Sequence, residues 1–244
     1  MIKPINQTPK PFSTFMLPTP QKSVTTSFIK NTEDTLSTTR AEFPWATNPI
    51  IISALDELKK VTFDKKDTEY IKNLGLELPF DSGKQAVEFI KNSHLRIAFE
   101  DTGSANIHAQ YDFIDNKILL NKRYQNTSDT ADVLALAEAI LHESCHAKDN
   151  DSASSIQEEL NNLGMGALAH RFFEKKYPSI FNKANTLIVN DGVNVYAKIF
   201  FDNDPNKKAL KERIREKYGL LPVGDNIHKP SALAFEIKNS FPFI

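Results

Sequence analysis

Two histidines four residues apart, with a glutamate directly after the first, are the residues of this 244-residue chain best suited to chemistry. They lie in the stretch His142-Glu143-Ser144-Cys145-His146. On a helix, side chains at positions i and i+4 share one face, so His142 and His146 can bind the same metal ion. Glu143 lies to one side of that pair, where its carboxylate can act as the general base of metal-assisted hydrolysis.

The residues before this motif predict the helix that it needs. Residues 130–141 are rich in strong helix formers, Asp129 can cap them, and Asp132 lies in the first turn. Apolar side chains recur at the spacing of one helical face: Val133, Leu136, Ala137, Ile140 and Leu141. We therefore expect the motif at the end of a buried amphipathic helix. The alternative is that both histidines lie on the surface of an ordinary helix.

Composition narrows the class of protein. Hydrophobic residues make up 40% of the chain, charged residues 25%, and the formal net charge is −1, which is typical of a globular protein and argues against a nucleic-acid partner. No apolar stretch approaches the roughly 18–20 residues that cross a bilayer, and the polar residues 1–10 predict no secretory signal peptide. The single cysteine, Cys145, excludes an intrachain disulfide. We expect it to be a small packed side chain rather than a nucleophile or a metal ligand.

The chain divides into two regions of different composition. Residues 1–40 contain five prolines, many Ser, Thr, Asn and Lys residues, and almost no apolar periodicity. Such a segment cannot bury enough apolar surface to offset its ordering entropy, so we expect a flexible leader that would suit a secretion signal or an ordinary disordered tail. Residues 41–244 are expected to form one domain.

The second region predicts an α+β fold in which a hairpin precedes the motif helix. Helices besides the motif helix are expected at 49–58, 84–92, 154–176, 179–190, 193–201 and 206–217. Strands are expected at 95–99, 107–111 and 117–121, the last two pairing around Asp115-Asn116. Strands followed by helices are typical of α+β domains. The hairpin either offers an edge strand to an extended peptide or only covers the motif helix.

A catalytic zinc site needs a third protein ligand and one position open to water. The extended motif would place that ligand six residues after the second histidine, but the residue there is Ser152. Asp149 and Asp151 lie where the helix should end, so they are weaker candidates. On the following helix, Glu159 borders the apolar stripe, whereas Glu158 is expected to project toward solvent. We therefore expect Glu159 to be the third ligand, with a solvated acidic pair near a helix N-terminus as the alternative.

The motif and the acidic pair together resemble a metallopeptidase family. His142-Glu143-Ser144-Cys145-His146, followed by Glu158-Glu159-Leu160-Asn161-Asn162-Leu163-Gly164, is similar to the gluzincins of the clostridial neurotoxin light-chain type. It is more similar still to the metalloprotease effectors that Gram-negative pathogens inject by type III secretion. The resemblance implies a zincin-like fold, one Zn²⁺ per chain on His142, His146 and Glu159, and Glu143 as the catalytic base.

The same resemblance implies a function and a destination. It implies an endopeptidase that enters a host cell by a route independent of a signal peptide and cleaves a host signalling protein, with a mitogen-activated protein kinase as one candidate. In this family an arginine and a tyrosine stabilise the oxyanion, and Arg215 and Tyr218 are the best candidates for these roles here. The segment that contains them also fits a charged helix end. Two alternatives stay open: a housekeeping, regulatory or anti-restriction zinc peptidase of the bacterial cytoplasm, and a non-catalytic interaction protein.

Overall fold

A computed structural model describes residues 41–103, 107–149 and 155–182, together with Ala197, Phe200 and Phe201. The helices are α1 (Pro49–Lys60), α2 (Lys65–Asn73), α3 (Gly83–Asn92), α4 (Thr130–Asp149), α5 (Ile156–Lys176) and α6 (Pro178–Phe181). The strands are β1 (Arg96–Glu100), β2 (Ala109–Asp112) and β3 (Lys117–Asn121). The described residues thus combine helices with a small sheet, which is compatible with the expected α+β class. None of the described helices combines the length and the apolar character that a membrane crossing requires.

Several sequence-based expectations fall outside the residues that the structure describes. These are the leader at 1–40, most of the helices expected at 179–190 and 193–201, and the whole helix expected at 206–217. The helices at 49–58, 84–92 and 154–176 are confirmed with small shifts of their ends. Helix α2 was not expected from the sequence.

The three strands form one sheet in the order β1-β3-β2. β2 and β3 are antiparallel, with Tyr111 opposite Ile118, so the expected hairpin is confirmed. The turn between them contains Asn116 with a φ of 45°, a backbone conformation that asparagine tolerates better than most residues. β1 pairs in parallel with the other side of β3, with Ile97 opposite Ile118. Within the described residues β2 is therefore an outer strand of the sheet.

Polar side chains determine where the helices begin. The side chain of Asn48 accepts a hydrogen bond from the Ile50 N–H at the start of α1, directly before Pro49. At the start of α4, Asp129 Oδ1 accepts from the Ala131 N–H at 2.9 Å, so the expected cap is confirmed. Ser155 caps the start of α5, where its Oγ accepts a hydrogen bond of 3.0 Å from the Glu158 N–H. These caps satisfy N–H groups that have no partner within the helix.

Helix α4 is the centre of the apolar core. It packs against α1, α3, α5 and the sheet, so it is buried on nearly every side rather than along one stripe. The fully or almost fully buried apolar residues of α4 are Ala131, Leu134, Ala135, Leu136, Ala137, Ile140, Leu141 and Cys145. Because other elements pack against α4 on nearly every side, this helix holds the two histidines at its C-terminal end rigidly.

A second apolar cluster covers the opposite face of α5. Ile71 of α2 and Leu76 of the following loop contact Leu160 and Leu163 of α5 in this cluster. Gly164 lies at the contact, where an added Cβ would be 3.3 Å from Ile71 Cγ2. Asn161 Oδ1 also accepts from the Glu77 N–H at 3.1 Å, which fixes the loop after α2 to α5. Helix α5 is thus held between α4 and α2.

One polar pair is fully buried between α4 and α5. Glu138 is 0% exposed and His170 is 3% exposed, and Glu138 Oε1 lies 2.9 Å from His170 Nδ1. Within the part of the chain that the structure describes, Glu138 Oε2 has no hydrogen-bond partner. Burial raises the pKa of the Glu138 carboxyl well above its ordinary value of 4.5. Burial therefore favours the neutral form of the carboxyl, which can donate its proton to His170 Nδ1.

Replacing Glu138 by glutamine is expected to change how stability depends on pH. The folded wild type retains a proton on Glu138 that the unfolded chain releases above about pH 4.5, so its free energy of unfolding falls as the pH rises. Glutamine cannot ionise, so the stability of Glu138→Gln should rise relative to wild type by up to about 1.4 kcal/mol per pH unit between about pH 4.5 and 7. Urea unfolding at several pH values measures this, with the exposed Glu174→Gln as control. A difference that does not change with pH would contradict the neutral pair.

Candidate metal centre

The two motif histidines lie one turn apart at the C-terminal end of α4. Their Nε2 atoms are 3.3 Å apart and their rings meet edge to face, with centroids 5.0 Å apart. The side chains of His142 and His146 are 16% and 12% exposed. The helix therefore presents both imidazoles to one point near the surface, as the i, i+4 spacing predicts.

Glu159 of α5 completes a cluster of three candidate ligands. Its Oε2 lies 3.6 Å from His142 Nε2, and its Oε1 lies 3.6 Å from His146 Nε2. The ligand atoms of the three residues all lie within 4.8 Å of one another. The cluster could therefore hold a metal ion. It does not include Asp149, and Asp151 and Ser152 lie outside the described residues.

The expectation that Glu158 projects toward solvent is wrong. Glu158 is only 5% exposed, and its Oε1 lies 2.5 Å from His146 Nδ1. Its Oε2 accepts from the Ser155 N–H at 3.2 Å, so the same carboxylate closes a capping box with Ser155. The pattern Ser155-x-x-Glu158 is a sequence signature of that box, and it would have indicated an inward-facing glutamate.

Negatively charged carboxylates surround His146. Burial alone would lower the pKa of its imidazole, but the carboxylates of Glu158 and Glu159 outweigh this and raise the pKa well above its usual value of 6.5. The site thus strongly favours a positive charge at this position. A metal ion supplies such a charge without a proton on the ligating nitrogen, so metal binding and protonation compete at this site.

The carboxylate of Glu143 bonds to the sheet. Its Oε2 accepts a hydrogen bond of 2.8 Å from the Tyr111 backbone N–H of β2. Glu143 is therefore not one of the three residues of the cluster, although its charge acts on His146. The Tyr111 contact was not predicted, because a backbone donor leaves no signal in the identity of its residue.

The remaining motif residues face the core. Cys145 is 1% exposed and its Sγ donates to the Leu141 carbonyl at 3.2 Å. Burial raises the pKa of the Cys145 thiol well above its usual value of 9.0, so the thiolate that a metal or an electrophile would require is disfavoured. Ser144 Oγ donates to the Ile140 carbonyl at 2.6 Å. The expectation that Cys145 is a packed side chain is confirmed.

The third histidine of the two central helices takes no part in the cluster. His170 is buried and bonded to Glu138, and it is not one of the three candidate ligands. Arg215 and Tyr218, the candidates for stabilising an oxyanion, lie outside the described residues.

Comparison with known proteins identifies no relative. No family model matches the chain, and neither the curated proteins nor the solved structures contain a match.

The cluster predicts one metal site per chain that depends on Glu159. Elemental mass spectrometry of the purified wild type, after equilibration with divalent metal and removal of the excess, should find about one metal ion per chain. Glu159→Ala removes one of the three ligands, and we expect it to weaken binding by at least tenfold. The exposed Glu174→Gln should retain the wild-type content. Equal metal content in wild type and Glu159→Ala would show that Glu159 is not a ligand.

Proposed function

We propose that this protein is a zinc-dependent endopeptidase of the gluzincin type with a zincin-like fold. The observation that carries the proposal is the convergence of His142, His146 and Glu159 beside the carboxylate of Glu143. Two imidazoles and one carboxylate form a ligand set of catalytic zinc sites. Three protein ligands also leave one coordination position open, whereas structural zinc sites are usually closed by four Cys or His ligands.

The separations within the cluster support zinc as the metal. Two atoms at about 2.05 Å from one ion, at a tetrahedral angle, are about 3.3 Å apart. The two Nε2 atoms are separated by 3.3 Å, and each lies 3.6 Å from an oxygen of Glu159. Only small shifts of these side chains are therefore needed for all three to reach one ion. A bound zinc ion supplies Lewis-acid chemistry: it acidifies water and polarises a carbonyl group.

In this proposal Glu143 is the catalytic base. Its carboxylate takes a proton from the water that attacks the scissile carbonyl and then delivers it to the leaving amine. The Tyr111 N–H contributes by holding one oxygen of that carboxylate at 2.8 Å. An oriented carboxylate loses less entropy in the transition state than a freely rotating one, so this contact supports the assignment of Glu143 as the base.

The position of β2 favours an extended peptide as substrate. The Tyr111 N–H bonds to Glu143, so it points away from β3. In an antiparallel strand the backbone groups alternate, so those of Ala109 point toward the same side, where no other strand pairs with β2 among the described residues. A peptide that pairs with the backbone of Ala109 would pass beside Glu143 and the three candidate ligands, while the Tyr111 N–H keeps its bond to Glu143. This supports substrate pairing over a purely covering role for the hairpin.

The general base is tested by Glu143→Gln. Glutamine keeps the size of the side chain but cannot accept the proton, so turnover should fall by about 10²–10⁴-fold while zinc content stays at the wild-type level. The substrates are a mixture of unstructured peptides of known sequence, and mass spectrometry of the products measures cleavage. The exposed Glu174→Gln is the matched control. Wild-type turnover by Glu143→Gln would remove Glu143 from the mechanism.

A zinc-binding wild type that cleaves no peptide would instead favour a non-catalytic role. Binding of a hydroxamate to the zinc-loaded protein distinguishes the two types of site, because a hydroxamate needs an open coordination position. Failure of the hydroxamate to bind would indicate a closed, structural site.

We further propose that the protein is an effector that acts on a signalling protein inside a host cell. The composition of residues 1–40 supports this, since a polar segment rich in Pro, Ser and Thr suits a type III secretion signal. Residues 1–40 fused to a reporter enzyme should enter host cells from a secretion-competent bacterium and should not enter from a secretion-deficient one. Retention of the reporter in both bacteria would favour a cytoplasmic bacterial peptidase.

A further inference from the structure

The side chain of Glu158 connects the candidate metal site at the end of α4 to the N-terminal cap of α5. Its Oε1 lies 2.5 Å from His146 Nδ1 at the end of α4, and its Oε2 accepts from the Ser155 N–H at the start of α5. The Glu158 N–H in turn donates to Ser155 Oγ at 3.0 Å. One carboxylate therefore bonds to a candidate metal ligand and caps a helix at the same time.

The geometry around His146 assigns a role to each ring nitrogen. Its Nε2 faces His142 Nε2 at 3.3 Å and Glu159 Oε1 at 3.6 Å, so Nε2 is the nitrogen that must offer a lone pair to a metal. Its Nδ1 must then carry the proton and donate it to Glu158. A carboxylate on the remote nitrogen fixes the tautomer and the ring orientation, and it makes the ligating nitrogen more basic.

The first turn of α5 carries both carboxylates of the site. Glu158 and Glu159 are adjacent, and the Glu159 N–H donates to the Ser155 carbonyl at 3.0 Å. Opening of this turn would withdraw the ligand Glu159 and the His146 partner Glu158 together. Both residues are nearly buried, at 5% and 6% exposure, so in the folded site their carboxylates rely on these contacts rather than on water.

We propose that Glu158 couples metal binding to the N-terminal cap of α5, so that the metal orders the first turn of this helix and the cap strengthens metal binding. The inference rests on the metal site of the proposed function and does not depend on catalysis. Coupling between two sites is reciprocal, because each changes the other's free energy by the same amount. A change in the cap must therefore change metal affinity, and the metal must in turn stabilise the cap.

Two variants separate the contributions of Glu158. Glu158→Gln removes the charge that both partners share, and we expect zinc affinity to fall by about 10–100-fold. Ser155→Ala removes the Oγ acceptor and leaves the Glu158 side chain in place. Zinc affinity should then fall less, by about fivefold, because only the cap is weakened. The exposed Glu174→Gln on the same helix should bind zinc as wild type does. Competition with a chromogenic chelator measures all four affinities.

Amide hydrogen exchange tests the reciprocal effect without any substrate. Adding zinc to the wild type should slow exchange at Ile156–Glu159, and the slowing should be smaller in Glu158→Gln. Slow exchange in the rest of α4 and α5 shows that each metal-free variant is folded. If Glu158→Gln does not fold, Ser155→Ala provides the test instead.

Three outcomes would overturn the coupling. Wild-type zinc affinity in Glu158→Gln would remove Glu158 from the metal site. Wild-type affinity in Ser155→Ala, together with weakened binding in Glu158→Gln, would show that Glu158 orients His146 independently of the cap. A wild-type protein that binds no zinc would overturn the proposed function and this inference together, whereas zinc binding without peptide cleavage would leave the coupling intact.

Discussion

The burial of carboxyl groups between α4 and α5 is the constraint on which the rest of the structure depends. Each of three nearly buried glutamates faces an imidazole of the opposite helix; the pairs are Glu138 with His170, Glu158 with His146, and Glu159 with both motif histidines. An unpaired buried charge costs several kcal/mol and an unpaired buried polar group about 1–3 kcal/mol, so a shift of one helix along the other would leave several groups uncompensated at once. The two helices therefore have one favourable register, and that register brings the three candidate ligands together.

The sheet contributes to the site through a single backbone group. β2 lies at the outer side of the sheet, and its Tyr111 N–H reaches Glu143 because β3 pairs with the alternate residues of the strand. β3 is held in turn by β1, whose Ile97 lies opposite Ile118. The orientation of the proposed catalytic base thus depends on strand pairing on both sides of β3. A side chain in this role could be replaced by mutation, but a backbone donor is retained by every residue except proline.

The sequence predicted the site best where periodicity is strong. The i, i+4 histidines, the cap at Asp129 and the inward position of Glu159 all follow from helical geometry, and the structure has each of them. The two strands of the hairpin were predicted from their own sequence pattern, and the α+β class from the order of strands and helices along the chain. The parallel pairing of β1 with β3 was not, because partners outside a hairpin are selected by tertiary packing rather than by local sequence.

Other features were missed for identifiable reasons. Helix α2 buries only Ile71, so it has no repeating apolar positions that would reveal it. Glu158 was expected in solvent because the apolar stripe of α5 excludes it, but α5 is covered by α4 as well as by α2 and has little exposed face in that region. The Glu138–His170 pair is separated by 32 residues, and only the packing of the two helices brings it together.

The buried thiol of Cys145 gives this protein an internal reporter. It is the one cysteine of the chain, and it lies between the two motif histidines with its Sγ bonded to the Leu141 carbonyl. Cys145 is only 1% exposed and burial raises the pKa of its thiol, so an alkylating reagent should react with it slowly in the folded protein. The rate of its modification should therefore rise when the end of this helix opens, and this rate can be measured in the unaltered chain without an attached label.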